Sequence, residues 1–287
     1  MMTNESTSEN VLSDEQKQDF IEKGYIVLRG AFDGEEAKAW VNDELRRAGY
    51  DPDDASTWTK PYLRLPTVRR ESLATFAPAA WAASCELMGG EARVKNRAGI
   101  GLFAVNLGEG ADRPFEPASP QSPGWHKDGW HFRHFLDSPD QGLLGIPLLT
   151  DVLPQGGATF IAEGSVARVA RFLADHPEGV LPDGFPVRDL LSAEVIFHEA
   201  TGAAGDFYLC HPYLLHAVSQ NVLRRVRAIS NILYELNEPM NFDRADGDYS
   251  PVEEAVLHGL GVDRYPFGIT GERYRTPDYG PINAKYR

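Results

Sequence analysis

The spacing of apolar residues predicts helices in the first part of the chain. Residues 1–12 contain Ser, Thr, Asn and Glu and very few apolar side chains, which predicts a disordered tail. Ser13 begins a helix-capping signal, and Gly24 supplies the corresponding stop. A β-rich run follows at 25–28, and a second helix is predicted over 34–48. This helix–strand–helix start predicts a sheet with helices on its outside.

Short apolar runs characterise the rest of the chain. A Pro-, Asp- and Thr-rich stretch at 49–66 predicts a loop, and an Ala-rich stretch at 73–88 predicts a helix. From Ala92 onward, apolar and β-branched runs are separated by Gly, Pro and Asp, at 99–107, 143–152, 157–162, 193–199, 206–216 and 226–236. Such spacing is typical of β-barrels and β-sandwiches. We therefore expect residues 13–287 to form a single, mainly β domain with flanking helices, in which 109–124 is a long loop.

Charge and cysteine content narrow the classes of function. The 42 acidic and 28 basic residues give a formal net charge of −14, which weighs against binding to nucleic acid backbones. The N-terminus lacks the apolar core of a signal peptide, and no apolar run is long enough to span a bilayer. The two cysteines, Cys85 and Cys210, show no metal-ligand spacing and argue against a disulfide framework. We therefore expect a cytoplasmic protein with no nucleic acid or membrane partner.

Histidines and one carboxylate give the densest chemical signal. In a strand, residues i and i+2 point to one face, so His126 and Asp128 would direct an imidazole and a carboxylate into the same space. Two histidines and one carboxylate form the facial triad of non-haem Fe(II) oxygenases, which leaves positions open for a co-substrate and O2. The third ligand must come from a distant segment. His211 and His216 are both candidates, and because a proline interrupts the strand between them, their spacing does not decide.

A basic segment follows these histidines. Arg224, Arg225 and Arg227 stand out against the acidic background, and a strand-like pattern resumes beside them. A buried arginine here would bind the far carboxylate of 2-oxoglutarate with two parallel hydrogen bonds, while the keto-acid end of 2-oxoglutarate chelates iron. Arg225 and Arg227 lie on the same face of the predicted strand, so both are candidates for this role.

The order of these motifs resembles the phytanoyl-CoA dioxygenase family of Fe(II)/2-oxoglutarate-dependent oxygenases. The matching segments are the helix and strand within 12–32, WHKD at 125–128, GGATFIAEGS at 156–165, GD through LLH at 205–216, and Asn221 followed by RAIS at 227–230. An isolated HxD motif is a weak signal. The full ordered set, which spans residues 12–235, is specific.

The resemblance implies a double-stranded β-helix (a jelly-roll, cupin-like fold) that uses Fe(II), 2-oxoglutarate and O2. It implies that His126, Asp128 and His216 are the metal ligands and the catalytic set, since the distal histidine of the family follows a Leu-Leu pair. It also implies that Arg227 pairs with the far carboxylate of 2-oxoglutarate and that the Thr159 hydroxyl assists. Halogenating relatives lack the carboxylate ligand, so the retained Asp128 implies oxygen transfer, most simply hydroxylation of a small molecule.

Two positions depart from the family pattern. Val166 stands where the family usually has His, and Lys127 stands where it often has Gln. Residues 238–287 match no family motif. His131 and His134 are candidates for the pocket entrance, although exposed or core histidines are commoner, and His211 is interpreted as a structural residue that supports the strand beside the metal.

Two other classes of function share part of the pattern. A zinc hydrolase would use the same His–Asp–His set, and a ligand-binding β-sandwich would need no metal. Arg227 discriminates between these classes, because a hydrolase has no need of a buried cation shortly after its last ligand. Aromatic residues accompany Arg113 in the loop at 109–124 and Arg273 near the C-terminus, which favours a partly apolar substrate bearing an anionic group.

Overall fold

Helices flank antiparallel sheets in the computed structural model, which describes residues 11–95, 98–191 and 195–275. The helices, numbered in chain order, are α1 (Asp14–Lys23), α2 (Gly34–Arg47), α3 (Leu73–Phe76), α4 (Pro78–Leu87), α5 (Ser165–Ala174), α6 (Val187–Leu190) and α7 (Pro251–Leu260). The strands are β1 (Tyr25–Leu28), β2 (Tyr62–Ser72), β3 (Gly99–Asn106), β4 (Leu143–Pro147), β5 (Thr159–Glu163), β6 (Ile196–Ala200), β7 (Phe207–Cys210), β8 (His216–Val218), β9 (Arg227–Ile229) and β10 (Ile232–Tyr234). The predicted mainly β architecture with flanking helices is confirmed.

The strands pair into three sheets. Their orders are β1-β7-β4-β10, β2-β3-β9 and β6-β5-β8, and every strand pair is antiparallel within the described ranges. A backbone bridge between Leu148 and Ile229 joins the end of β4 to β9, and therefore links the first sheet to the second. A second bridge, between His126 and His216, extends the third sheet beyond β8. Segments far apart in sequence are thereby brought together around one interior.

The N-terminal helix and strand follow the predicted signals. The Ser13 hydroxyl accepts from the Gln16 backbone N–H, and the Gln16 side chain accepts from the Ser13 N–H, which completes a capping box. Gly24 ends α1 in the left-handed region with φ 83°. A Cβ at Gly24 would lie 2.5 Å from Val166, so any larger residue would strain the backbone and collide with α5.

Only the end of the predicted tail, 1–12, is described, because residues 1–10 lie outside the described ranges. The backbone N–H groups of Val11 and Leu12 donate to the Glu86 carboxylate at 2.8 and 3.1 Å. Leu12 is buried in the core. The packed part of the chain therefore includes Leu12.

The predicted helix over 73–88 is two helices. Ala77, at φ −140°, separates α3 from α4. Pro78 is the first residue of α4, and its ring disfavours a helical conformation at the preceding residue. One apolar stretch therefore folds as two short helices that meet at a bend.

The predicted loop over 49–66 is wrong at its end, because β2 begins at Tyr62. The alternation of β2 is obscured in the sequence by several arginines and by Pro66. β2 is an edge strand that pairs only with β3, and a proline is tolerated there because no second neighbour needs its missing N–H. The pairing register also shifts between Pro66 and Glu71.

The remaining predicted runs and the predicted loop agree in part with the observed elements. The run at 206–216 is divided into β7 and β8 around Pro212, as its proline indicates, and 109–124 contains no helix or strand. The run at 193–199 is described only from Val195 onward, where β6 begins at Ile196. α5 and α7 lie where no element is predicted. No helix of the described ranges is long and apolar enough to cross a lipid bilayer.

The segment after β10, which matches no family motif, is anchored by a buried carboxylate. α7 packs against α1 and α5. At its first turn, Glu253 accepts two hydrogen bonds from Arg93, at 3.0 and 2.8 Å, and one from Arg244, at 3.1 Å. Burial alone would raise the pKa of Glu253, but Arg93 and the backbone N–H groups of Asn241 and Ser250 outweigh it and lower that pKa to about 2. This network fixes the C-terminal segment to the domain.

We expect Glu253→Gln to lower the free energy of unfolding by about 2–4 kcal/mol at neutral pH, because it leaves two partly buried guanidinium groups without their counter-ion. The folded-state pKa lies below the unfolded value of about 4.3. The difference between wild type and variant is therefore fully present above pH ~4.3 and is lost as the pH falls towards 2. Urea unfolding at several pH values measures it. Glu254→Gln is the control, and an equal loss of stability in that variant would contradict the assignment.

Candidate metal centre

His126 and Asp128 are presented by a bridge and a bend. His126 forms a single antiparallel bridge with His216, with N–H···O distances of 3.0 and 3.1 Å, and Asp128 follows in a bend. The prediction that His126 and Asp128 lie in one strand is therefore wrong. Gly129 turns the chain directly after Asp128 with φ 115°, and a Cβ there would lie 2.5 Å from the His134 ring. The turn therefore requires glycine.

The three predicted ligands converge on one point. The Nε2 atom of His126 lies 3.5 Å from one carboxylate oxygen of Asp128, and Nε2 of His216 lies 3.5 Å from the other. One nitrogen or oxygen from each of the three residues lies within 4.8 Å of the other two. Side chains separated by some ninety positions in sequence therefore share one donor cluster.

Backbone carbonyls set the tautomers of both imidazoles. Nδ1 of His126 donates to the Gly124 carbonyl oxygen at 2.8 Å, and Nδ1 of His216 donates to that of Leu214 at 3.0 Å. Each ring thus directs the lone pair of Nε2 towards Asp128, which is how metal-binding histidines are commonly oriented.

Two of the donor atoms are buried without a hydrogen bond. They are Oδ2 of Asp128 and Nε2 of His216. Burying an unpaired carboxylate oxygen and an unpaired imidazole nitrogen costs free energy, which a bound cation would offset. The chemistry of the donors therefore fits a divalent metal ion with two nitrogen ligands and one oxygen ligand.

The charge on the site is already that of a metal-binding set. Burial alone would raise the pKa of Asp128, but the imidazoles of His126 and His216, when they carry a proton on Nε2 in the absence of metal, outweigh it and hold that pKa well below its usual value. Asp128 is therefore an anion at neutral pH. Side-chain exposure falls from 24% for His126 to 12% for Asp128 and 5% for His216. The cluster therefore opens to solvent on the side of His126.

His211 is the histidine that the sequence leaves in competition with His216. It is fully buried, its Nε2 donates to the Val252 carbonyl oxygen at 3.1 Å, and its Nδ1 accepts from the Tyr213 N–H at 3.1 Å. Burial lowers the pKa of His211 to about 3. Both ring nitrogens are thus engaged, which leaves no lone pair for a metal.

A buried lysine supports the loop between the first two ligands, and the sequence marks it only as a departure from the family. Lys127 donates to the Asp128 carbonyl oxygen, to Nδ1 of His134 and to the Gln141 side chain at 3.1, 2.9 and 3.1 Å. His134 in turn donates from Nε2 to the Gly129 carbonyl oxygen at 2.8 Å. Lys127 and His134 therefore fix the two successive carbonyl groups of Asp128 and Gly129 at the bend.

A second polar subsite contains Arg227. The Arg227 residue is 1% exposed, and its Nη2 donates to the Thr159 hydroxyl at 2.7 Å. Its Nε and Nη1 atoms have no hydrogen-bond partner in the part of the chain that the structure describes. Burial lowers the pKa of Arg227 to about 10, so the group is still a cation at neutral pH. Arg225, the alternative left by the sequence, is exposed.

The strand register relates this subsite to the donor cluster. In the β5–β8 pairing, His216 lies opposite Ile161 and Val218 lies opposite Thr159. Paired residues share a face, so Thr159 and His216 are diagonal neighbours on one face, roughly 7–8 Å apart. The Arg227–Thr159 pair therefore lies next to the donor cluster along the same face of the sheet. A five-carbon diacid can span this separation.

The fold is known from solved structures. SnoN, described as a non-heme alpha ketoglutarate dependent epimerase from nogalamycin biosynthesis, matches with a TM-score of 0.50 and 17% identity, over 77% of this chain and 82% of that one. The chain shares the fold of SnoN. EctD from S. alaskensis, with 2-oxoglutarate and 5-hydroxyectoine, matches with a TM-score of 0.47 and 19% identity, over 82% of this chain and 78% of that one. HygX from Streptomyces hygroscopicus, with nickel and 2-oxoglutarate bound, matches with a TM-score of 0.44 and 16% identity, over 79% of this chain and 88% of that one.

No protein-family model matches the chain, and no curated protein matches it.

We expect His216→Ala to lose metal affinity by more than about 100-fold, since even supporting partners of metal ligands contribute 10–100-fold. His211→Gln should keep the metal affinity of the wild type, whatever it costs in stability. Titration of each protein with Co(II), followed by visible absorption, measures both values. Tight Co(II) binding by His216→Ala, together with its loss in His211→Gln, would contradict the geometry.

Proposed function

We propose that this protein is an Fe(II)- and 2-oxoglutarate-dependent oxygenase that oxidises a small molecule, most simply by hydroxylation. The observation that carries the proposal is the buried Arg227 cation, which has two unused N–H donors and lies beside a three-residue metal donor set. A guanidinium buried without a carboxylate of its own chain is costly unless an anion from outside occupies the site.

His126, Asp128 and His216 are the proposed metal ligands. Their two nitrogens and one oxygen match the donor set of the facial triad, which leaves the remaining positions to a co-substrate and O2. When bound, Fe(II) with 2-oxoglutarate and O2 supplies the oxidising chemistry, with decarboxylation of the keto acid to succinate. The contribution of the chain is to hold the ligand atoms in place through the Gly124 and Leu214 carbonyl oxygens.

Arg227 and Thr159 are the proposed anchor of 2-oxoglutarate. Nε and Nη1 of Arg227 are the free donors, and the Thr159 hydroxyl that accepts from Nη2 can donate its own hydrogen to a carboxylate. The planar fork of an arginine matches a carboxylate with two parallel hydrogen bonds, here from the second N–H of Nη2 together with an N–H of either Nη1 or Nε. A diacid anchored here reaches back to the donor cluster with its keto-acid end, which selects 2-oxoglutarate over shorter keto acids.

The fold supports this assignment. SnoN, which shares the fold, is described as dependent on alpha ketoglutarate. We further propose that the three antiparallel sheets form a double-stranded β-helix in a single domain beginning near residue 13. The bridge between Leu148 and Ile229, which connects two of the sheets, supports this. The net charge of −14 favours a small-molecule substrate over nucleic acid.

Anaerobic addition of Fe(II) and 2-oxoglutarate tests the proposal. The wild type should develop a weak visible charge-transfer band that saturates with 2-oxoglutarate, because the keto acid chelates the iron. Arg227→Gln should raise the 2-oxoglutarate concentration for half-saturation by about 100-fold or more, since a buried charged pair is lost. Thr159→Val should raise it about tenfold, because it removes one hydrogen bond to a charged group.

Arg225→Gln is the matched control, because it removes the same charge at an exposed position two residues before Arg227, outside β9. It should leave the titration unchanged. A zinc hydrolase would bind metal and give no such band, and a metal-free binding module would bind neither. Either result, or equal effects of the two arginine variants, would contradict the proposed function.

A further inference from the structure

Two buried asparagines lie where the strands of the two proposed subsites begin and end. Asn106 is the last residue of β3, and Asn221 lies between β8 and β9. Both residues are 0% exposed. A buried amide is costly unless it is hydrogen-bonded, so the partners of these side chains show which segments they hold. We refer to the two side chains as the amide pair.

Asn221 is bonded to the segment that carries Arg227. Its Nδ2 donates to the Asn106 carbonyl oxygen at 2.8 Å and to the Arg225 carbonyl oxygen at 2.7 Å. Asn106 is itself paired with Arg227 across β3 and β9. The two N–H groups of one amide therefore tie the backbone that leads into Arg227 to the strand beside it.

Asn106 is bonded to the segment that carries His216. Its Nδ2 donates at 3.1 Å to the carbonyl oxygen of Ser219, the residue after β8, and His216 is the first residue of that strand. Its Oδ1 accepts from the backbone N–H groups of Gly108 and Glu109 at 3.2 and 2.9 Å. The amide pair thus joins the end of β8, which carries a proposed metal ligand, to the start of β9, which carries the proposed anchor.

The second glycine before β5 leaves room for the amide pair. Gly157 has φ 81°, and a Cβ there would lie 2.8 Å from Nδ2 of Asn106 and 3.0 Å from Cβ of Asn221. The position therefore requires glycine. The Gly157 N–H donates to the Gln220 carbonyl oxygen at 3.0 Å, and β5 begins shortly afterwards at Thr159. The strand that carries the other anchor residue is thus held against the same turn.

From these contacts we infer that Asn221, through the amide pair, is a positioning residue for 2-oxoglutarate, because it fixes Arg227 relative to the metal ligand His216. This inference rests on the proposed function and deepens it. The co-substrate is held at both ends, so a displacement of about 1 Å between the two subsites would lower its affinity. Asn221 acts through Arg227, and its loss should weaken binding of the diacid without removing any metal ligand.

Asn221→Leu tests the inference, because leucine has a similar branched shape and no N–H donors. In the anaerobic charge-transfer titration with Fe(II), the half-saturating 2-oxoglutarate concentration should rise about tenfold or more, since two hydrogen bonds that position the anchor are lost. The Co(II) affinity should be unchanged, because Asn106 still holds Ser219 at the end of the strand that begins with His216.

A double-mutant cycle separates positioning from general destabilisation. In an Arg227→Gln background, Asn221→Leu should have little further effect on the titration, because the residue through which it acts is already lost. Asn237→Leu is the matched control, since Nδ2 of Asn237 also donates to a backbone carbonyl oxygen, that of Ala92, at 2.7 Å. Glu253→Gln is the control for lost stability. Both controls should keep the half-saturating concentration of the wild type.

Hydrogen exchange on the wild type tests the same coupling without a substitution. If the amide pair favours 2-oxoglutarate binding, 2-oxoglutarate must stabilise the amide pair to the same extent. The N–H groups of Gly108 and Glu109, which donate to Asn106, should therefore exchange about tenfold more slowly when 2-oxoglutarate is added to the Fe(II) protein. The N–H groups of Val11 and Leu12, which donate to the Glu86 carboxylate, are the control and should be unaffected.

Wild-type 2-oxoglutarate affinity in Asn221→Leu would overturn the inference, as would an equal loss in either control. So would a full additional loss in the Arg227→Gln background, or unchanged exchange at Gly108 and Glu109. These outcomes are distinguishable from failure of the proposed function. A wild type that gives no charge-transfer band would remove the oxygenase assignment and this inference together, whereas a normal band with an unaffected Asn221→Leu titration would remove the inference alone.

Discussion

The interior of the protein holds a positive charge that has no carboxylate partner among the described residues, and the arrangement of the site depends on it. Arg227 is buried on β9 with one hydrogen bond to Thr159 and two free donors. A buried, unpaired guanidinium weakens a fold unless a ligand compensates for it. The surrounding sheets keep it in place because β9 pairs with β3 on one side and is bridged to Leu148 on the other. In the proposed function, this cation is the binding site for the far carboxylate of the co-substrate, which offsets the cost of its burial.

The donor cluster also contains a buried charge, which is the negative charge of Asp128. Asp128 is held as an anion between two imidazoles, and the carbonyl oxygens of Gly124 and Leu214 orient those rings. We propose that the cluster and the Arg227 subsite bind the two ends of one molecule, which has a metal-chelating end and a distant carboxylate. Lys127 and His134 support the donor cluster although neither is directed at it, because their hydrogen bonds fix the bend that carries Asp128.

Motif chemistry could be predicted from the sequence because it depends on residue type and order. The three proposed donors, Arg227 and Thr159 were singled out by residue type and order, and the capping signal at Ser13 defined the first helix. The choices between His211 and His216, and between Arg225 and Arg227, could not be made from strand spacing. Burial and tertiary hydrogen bonds favour His216 and Arg227, and neither is a property of the local sequence.

The local sequence pattern gave wrong predictions where pairing between distant segments determines the structure. β2 is held by its edge position beside β3, which allows Pro66 and several arginines to interrupt its alternation. His126 and Asp128 share a site through a bridge and a glycine turn rather than through strand periodicity.

The central claim is that the donor cluster and Arg227 hold the two ends of one molecule. A crystal grown anaerobically with Fe(II) and 2-oxoglutarate, measured at the iron absorption edge, tests it most directly. The account predicts one anomalous peak between the imidazoles of His126 and His216 and the Asp128 carboxylate, with the far carboxylate of the diacid on Arg227 and Thr159. An anomalous peak elsewhere, or an Arg227 side chain that contacts no anion while the diacid occupies another place, would contradict it.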